Sequence, residues 1–207
     1  FSVIPMFVFM GQLGYYSGIL REVFEVARLW LGKLPGGLAV SVEAADAIFA
    51  ACSGSSIAAC VTIGKSSIPV MRETGYSDAM ATGVVAAGGS VAALIPPSIT
   101  ICIYGLLVDE SIGKLLIAGF IPGIVTALIY IAFIMARSRG VPRIKENVTW
   151  KQRFYSIRYL WVVVVIVLAI MGGIYFGICT PTEGGAVGAL TVFLLALFLR
   201  QLSWDVL

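Results

Sequence analysis

Residues 38–71 read LAVSVEAADAIFAACSGSSIAACVTIGKSSIPVM. The run is moderately apolar, but Ser53-Gly54-Ser55-Ser56 interrupts it at its midpoint, and Glu43, Asp46 and Lys65 lie within it. One spanning helix needs about 20 apolar residues, so this run is too long and too broken to be one. Two ordinary spans are excluded by length, since each limb holds only about 15 residues. The remaining reading is a re-entrant hairpin, with two half-length helices meeting at a Ser/Gly tip and returning to the side they left. Non-helical backbone at membrane depth is tolerated only when it is buried in protein or lines a polar cavity. The tip is therefore expected to face a site.

The segment that follows, 79–108, is long and apolar and contains Gly88-Gly89-Ser90 and then Ile95-Pro96-Pro97-Ser98. Adjacent prolines remove two amide donors, and the residue before a proline is pushed out of helical dihedrals. The helix is expected to break near mid-membrane and free carbonyl oxygens. Secondary transporters build ion sites from such breaks, where carbonyls and hydroxyls coordinate a hard cation and half-helix amino ends face an anion. Sodium suits an oxygen-only set. Taken alone, the motif also fits a kink packed against neighbouring helices; its pairing with a Ser/Gly tip favours a binding site.

The whole composition agrees with a lipid solvent. Of 207 residues, 59% are hydrophobic and 12% charged, with a mean hydropathy of +1.00; a soluble domain carries about 25% charged residues. Besides 79–108, stretches 1–20, 115–136 and 160–178 are long enough to cross a bilayer, and 184–199 is a shorter candidate. Between 21 and 33, Val23, Phe24, Ala27 and Leu31 alternate at helical period with Arg21, Glu25 and Arg28, the pattern of an interfacial helix that Leu34-Pro35-Gly36-Gly37 ends. Seven of the fourteen Lys and Arg residues fall in 137–158 beside one acid, Glu146. With that interval cytoplasmic, the acidic turn Asp109-Glu110 lies outside and the other basic clusters lie inside. A nucleic-acid reading of the basic run is much the poorer one.

A third motif, Gly177-Ile178-Cys179-Thr180-Pro181-Thr182-Glu183, separates the last two stretches. Pro181, Thr182 and Glu183 suit a helix start, where the carboxylate caps the helix; an acid at a span end is otherwise a functional candidate. Enzyme chemistry finds little support. There is no His, no Ser has a base partner in sequence, and Gly64-Lys65-Ser66 lacks the upstream glycine of a phosphate-binding loop, with Ala59 in its place. Cys52, Cys60, Cys102 and Cys179 lie in apolar segments without ligand spacing and read as small buried hydrophobes. The chain opens inside an apolar run at Phe1 and stops just after a span, which reads as an internal fragment of a longer protein.

Several of these motifs occur in one distinctive order: Gly11 with Ser17-Gly18, Leu34 to Ala39, Ser53 to Ala58, Gly64-Lys65 with Ile68-Pro69, Met71 and Gly75-Tyr76. Then come Ala86 to Ser90, Ile95 to Ser98, Ile103-Tyr104-Gly105, Ser111 to Leu115, and Gly177 with Pro181-Thr182-Glu183. Over nearly the whole chain this order resembles the large membrane subunit of tripartite ATP-independent periplasmic (TRAP) transporters. The resemblance implies an all-α polytopic inner-membrane protein of bacteria or archaea. Its expected fold is two inverted repeats, each with a re-entrant hairpin and a broken helix, moving as an elevator. It implies sodium-coupled import of organic acids such as dicarboxylates or sialic acid, with a small membrane subunit and a periplasmic substrate-binding protein as partners, no nucleic acid and no cofactor beyond Na+. On that basis, residues 1–158 hold most of repeat one: a span, an interfacial arm at 21–37, the hairpin 38–71, the broken span 79–108, the span 115–136 and the loop 137–158. Residues 159–207 begin repeat two. Ser53, Gly54, Ser55, Ser56, Gly88, Gly89 and Ser90 are the positions expected at sodium, Ile95, Pro96, Pro97 and Ser98 those expected at substrate, and Thr180 to Glu183 secondary candidates. Ala92 and Ala59 depart from the family pattern, where Gly and Thr respectively are common. The alternatives are a receptor-independent sodium–dicarboxylate symporter of related architecture, which the Pro-Thr-Glu segment and the Leu-Pro-Gly-Gly turn disfavour, and a non-transporting membrane scaffold.

Overall fold

A computed structural model describes residues 3–17, 21–138 and 149–199. Every element within them is helical: α1 Val3–Tyr16, α2 Arg21–Leu31, α3 Gly37–Ser53, α4 Ser56–Glu73, α5 Asp78–Val91, α6 Ile99–Leu107, α7 Ile112–Arg137, α8 Trp150–Ile157, α9 Leu160–Val167, a π-helical turn Leu168–Gly172, α10 Gly173–Tyr175 and α11 Pro181–Phe198. Gly18, Arg139, Arg143, Lys145, Glu146 and Asp205 lie outside the described residues.

Helix α3 is the centre of the bundle, and α1, α2, α4, α5, α7 and α9 all pack against it. It begins at a sharp turn. Gly36 has φ 66°, and an added Cβ there would overlap the side chain of Ser138 at the end of α7. At the other end Gly54, with φ 62°, closes α3 by donating its amide to Ala50 O at 2.9 Å. Ser55 then caps α4, its Oγ accepting the Ala58 amide at 3.3 Å. The tip chemistry thus produces the hairpin expected from the sequence: a left-handed glycine ends one helix and a hydroxyl starts the next.

The limbs are 17 and 18 residues long, somewhat longer than the sequence count. Composition, more than length, then separates them from ordinary spans: Glu43 and Asp46 are carried by α3, and Lys65, Arg72 and Glu73 by α4. The stretch 79–108 divides as expected into a 14-residue and a 9-residue helix, because Pro96 and Pro97 cannot continue α5. Ser98 restarts the chain as the cap of α6. The break packs on small residues of α7: an added Cβ at Gly119 would come within 2.6 Å of Leu94 O, and one at Gly123 within 2.8 Å of the Ile95 side chain.

Two helical runs are long and apolar enough to cross a membrane unbroken, Ile112–Arg137 and Trp150–Tyr175. Only 22% of the best window of the first is buried, and its outer face carries Ile121, Leu128 and Phe133 exposed, a surface that water would not tolerate over such an area. The second run alters one expectation. Residues 150–157, read from sequence as loop, are helical and continue towards the span, because Thr149 and Gln152 form a capping box. Helix α8 returns to α2, where Trp30 Nε1 donates to Arg153 O at 3.3 Å and the Trp30 and Phe154 rings meet edge to face at 6.1 Å. Helix α2 buries Val23, Phe24, Val26 and Ala27 and pairs Arg28 with Glu25 at 2.9 Å, the amphipathic division expected of it. Helix α11 closes the bundle by packing along α1 and the π-helical turn. Gly184 admits Ile174, and Gly188 admits Ile170 and Met10, a small-residue seam of the kind that lets apolar helices approach closely.

Candidate functional site

The hairpin tip and the helix break meet. The Ile99 amide, first in α6, donates to Gly54 O at 3.0 Å. An added Cβ on Gly54 would lie 2.8 Å from Pro97 O. Behind the tip, α1 presents Gly11, whose added Cβ would lie 3.0 Å from Ser53 O. Three segments far apart in sequence therefore converge: Gly11, residues 53–56 and residues 95–99.

Two helix starts, of α4 and α6, and two helix ends, of α3 and α5, flank this junction. The amino ends carry partial positive charge and the carboxyl ends partial negative charge, so an anion and a cation can both be satisfied nearby. Oxygen is the available donor. Among the described residues the carbonyls of Ile95, Pro96 and Pro97 accept no hydrogen bond. Ser53 Oγ makes only long contacts, donating to Ser55 O at 3.5 Å and accepting from the Ser55 amide at 3.4 Å. Ser98 is committed: its buried hydroxyl donates to Ala93 O at 2.6 Å and accepts the Ile101 amide at 3.3 Å. Such an oxygen set fits sodium.

Gly88 and Gly89 contribute in a different way. Added side-chain carbon at Gly88 would overlap the Asp46 carboxylate, and at Gly89 the Cys60 sulfur. The carbonyl of Gly88 is taken by the Ala92 amide at 3.1 Å. These glycines seat α5 against both hairpin limbs. Ser90 faces the other way, with its hydroxyl donating to Ala87 O at 2.7 Å and lying 3.4 Å from Tyr130 OH on α7. Of the residues singled out from sequence, the structure brings together 53–56 with 95–98, and leaves Ser90 outside that junction.

Thr180 and Glu183 form a reciprocal cap at the start of α11. The Thr180 amide and hydroxyl donate to Glu183 Oε2 at 2.7 and 2.9 Å, and the Glu183 amide returns to Thr180 Oγ1 at 3.3 Å. Pro181 occupies the first turn, where a missing amide hydrogen is no loss. The Thr182 side chain is outside the description. The capping reading of this motif accounts for Oε2 of the Glu183 carboxylate.

Two features were not legible as site residues in the sequence. Beside the tip runs a groove of ≈ 440 Å³ between α1 and α4, in which Gln12, Tyr15, Ser55, Thr62 and Lys65 supply the polar wall. Lys65 Nζ donates to Tyr15 OH at 3.2 Å. Inside the hairpin, Glu43 and Asp46 are both 0% exposed, and neither carboxylate has a hydrogen-bond partner among the described residues. Their spacing of three residues on α3 was the available signal.

Comparison with known proteins agrees with this architecture. The family model described as "Tripartite ATP-independent periplasmic transporter, DctM component" matches residues 1–207. A C4-dicarboxylate TRAP transporter large permease protein of Pseudomonas aeruginosa is 37% identical over 201 residues, covering 96% of this chain and 47% of that protein. A sialic acid TRAP transporter permease protein of Haemophilus influenzae is 36% identical over 188 residues, covering 90% of this chain and 30% of the relative. An ectoine TRAP transporter large permease protein of Halomonas elongata is 36% identical over 195 residues, covering 93% and 45% respectively. The chain thus spans about half the length, or less, of the curated relatives it matches. A match over the full chain, with helices interrupted where the motifs predict, places it in the membrane: the chain belongs to the DctM family of TRAP transporter large permeases.

Proposed function

We propose that the chain is the sodium-binding half of an inner-membrane TRAP permease that imports small organic acids. The single observation that carries this reading is the bond from Ile99 N to Gly54 O, which ties a hairpin tip to a helix break. Sodium sits at that junction, held by the free carbonyls of the 95–97 segment and the hydroxyls of Ser53 and Ser55. The α3–α4 pair is a re-entrant hairpin, because its polar tip would otherwise lie in hydrocarbon. The substrate lies beside the tip, where the amino ends of α4 and α6 and the Lys65 ammonium favour an anionic group. The relatives are named for C4-dicarboxylates, sialic acid and ectoine, which supports a scaffold shared among different small solutes.

In this reading residues 1–158 are most of the first of two inverted repeats and 159–207 begin the second, and transport moves the hairpin-bearing part as an elevator. A small membrane subunit and a periplasmic binding protein complete the system. The test is uptake into proteoliposomes by the complete three-part system across a panel of organic acids. Uptake should require both an inward sodium gradient and the binding protein. Uptake of equal rate in sodium-free buffer would remove the reading.

A further inference from the structure

We propose that Glu43 and Asp46 form a proton-binding pair inside the hairpin, holding protons while α3 is packed against α5. Both side chains are fully buried and unpartnered. They lie one turn apart on one face of α3, which packs against both α4 and α5. Two ionised carboxylates cannot stay together in such a place without a counter-charge, because burial of an unpaired charge is prohibitive and the pair repel.

Among the described side chains, the neighbouring elements supply no counter-charge. On α4, Cys60 faces Asp46 as a neutral thiol donating to Val85 O at 3.5 Å; Lys65 points to Tyr15 of α1; Arg72 is paired with Asp78 at the start of α5 at 2.7 Å. Helix α5 meets Asp46 with Gly88. Helix α2 turns Val23, Phe24 and Ala27 inward, with Arg28 bonded to Glu25. Lys114 and Arg137 stand at the two ends of α7, α9 carries no ionisable residue, and Tyr76 meets the backbone of Leu38 and Ala39. Between Asp46 and α5 there is no room for a metal cation, since even one added carbon on Gly88 overlaps the carboxylate. A proton needs no such room. The step is protonation alone: while α3 is parted from α5 each carboxylate takes a proton from a solvent acid, hydronium or protonated buffer, whose conjugate base stays in solution, and it passes the proton back to a water or buffer base when the contact next opens.

This pair is independent of the ion junction at the tip, and its test reads protonation rather than uptake, so the two proposals fail separately. The complete permease, purified in detergent at neutral pH, is examined by infrared spectroscopy in light and heavy water. The carbonyl absorption of un-ionised carboxyl groups should be present, shift with deuterium and persist when sodium is added. It should be lost in the E43Q/D46N double variant, whose amides mimic the protonated shape. Gly88→Ala, which keeps both acids but crowds Asp46, should shift it, and this covers a double variant that fails to fold. Absence of the absorption in the unaltered protein, its removal by sodium, or its survival unshifted in the variants would overturn the proposal.

Discussion

Gly54 and Pro97 meet across the junction with no room for a side chain: the Pro97 carbonyl oxygen stands 2.8 Å from where a Gly54 Cβ would lie. Gly54 also has φ 62°, a conformation that costs any other L-residue roughly 1–2 kcal/mol. Gly54→Ala therefore combines backbone strain with a steric push on the carbonyl assigned to sodium. Sodium-dependent uptake by the complete system should fall at least about tenfold, the equivalent of roughly 1.4 kcal/mol, with the sodium concentration for half-maximal rate raised. Unchanged sodium dependence in Gly54→Ala would show that the tip does not hold the ion.

The serines at the junction should separate by role. Ser98 is a buried cap with both of its hydrogen bonds inside the protein, so Ser98→Ala should lower thermal stability, by about 1 kcal/mol for the cap and further for the Ala93 carbonyl left unsatisfied. Ser53 makes only long contacts and keeps its hydroxyl available. Ser53→Ala should cost little stability while weakening sodium activation. A melting experiment alongside a sodium titration decides it: the reverse pattern would exchange the assignments.

How much of this was readable beforehand follows from the kind of signal each feature leaves. The tip and the break were legible because Gly, Ser and Pro have strong local preferences that act over a few residues. That Gly54 would face Pro97 was not legible, since 43 positions separate them and only the fold supplies the contact. Ser90 shows the converse. It follows Gly88 and Gly89 in sequence, yet a step of one residue turns a helix by about 100°, which sends its hydroxyl to Tyr130 while the glycines face the hairpin. Residues 150–157 read as loop because their charge hid a capping box and an amphipathic face. Glu43 and Asp46 stood in plain view as interruptions; their complete burial is a property of packing that no local pattern states.

Lys65 offers a test of where the anion sits. Its ammonium lies in the groove beside the tip and bonds the Tyr15 hydroxyl rather than a carboxylate, so it is available to a substrate acid. A charge-assisted hydrogen bond is worth about 1.5–3 kcal/mol. Lys65→Gln should accordingly raise the apparent KM for an acidic substrate about tenfold with little change in maximal rate, and added salt should narrow the difference. An unaltered KM at low ionic strength would move the anion site out of this groove.

The Thr180–Glu183 cap gives a prediction that separates structure from ion binding. A capping box functions with Glu or Gln at its fourth position, since either side chain can accept the amide hydrogen of the first. If Glu183 serves α11 only, Glu183→Gln should leave sodium dependence and uptake where they were, because the accepting oxygen survives. Thr180→Ala removes the hydroxyl that accepts the Glu183 amide and should cost about 1 kcal/mol, read as a lower melting temperature with sodium activation intact. If the carboxylate instead took part in coupling, the order would invert: the neutral Gln would shift the sodium dependence although the helix start stayed sound, and the Ala variant would be the milder of the two. Sodium titrations and thermal melts on the two single variants distinguish these outcomes, because charge and capping geometry are altered one at a time.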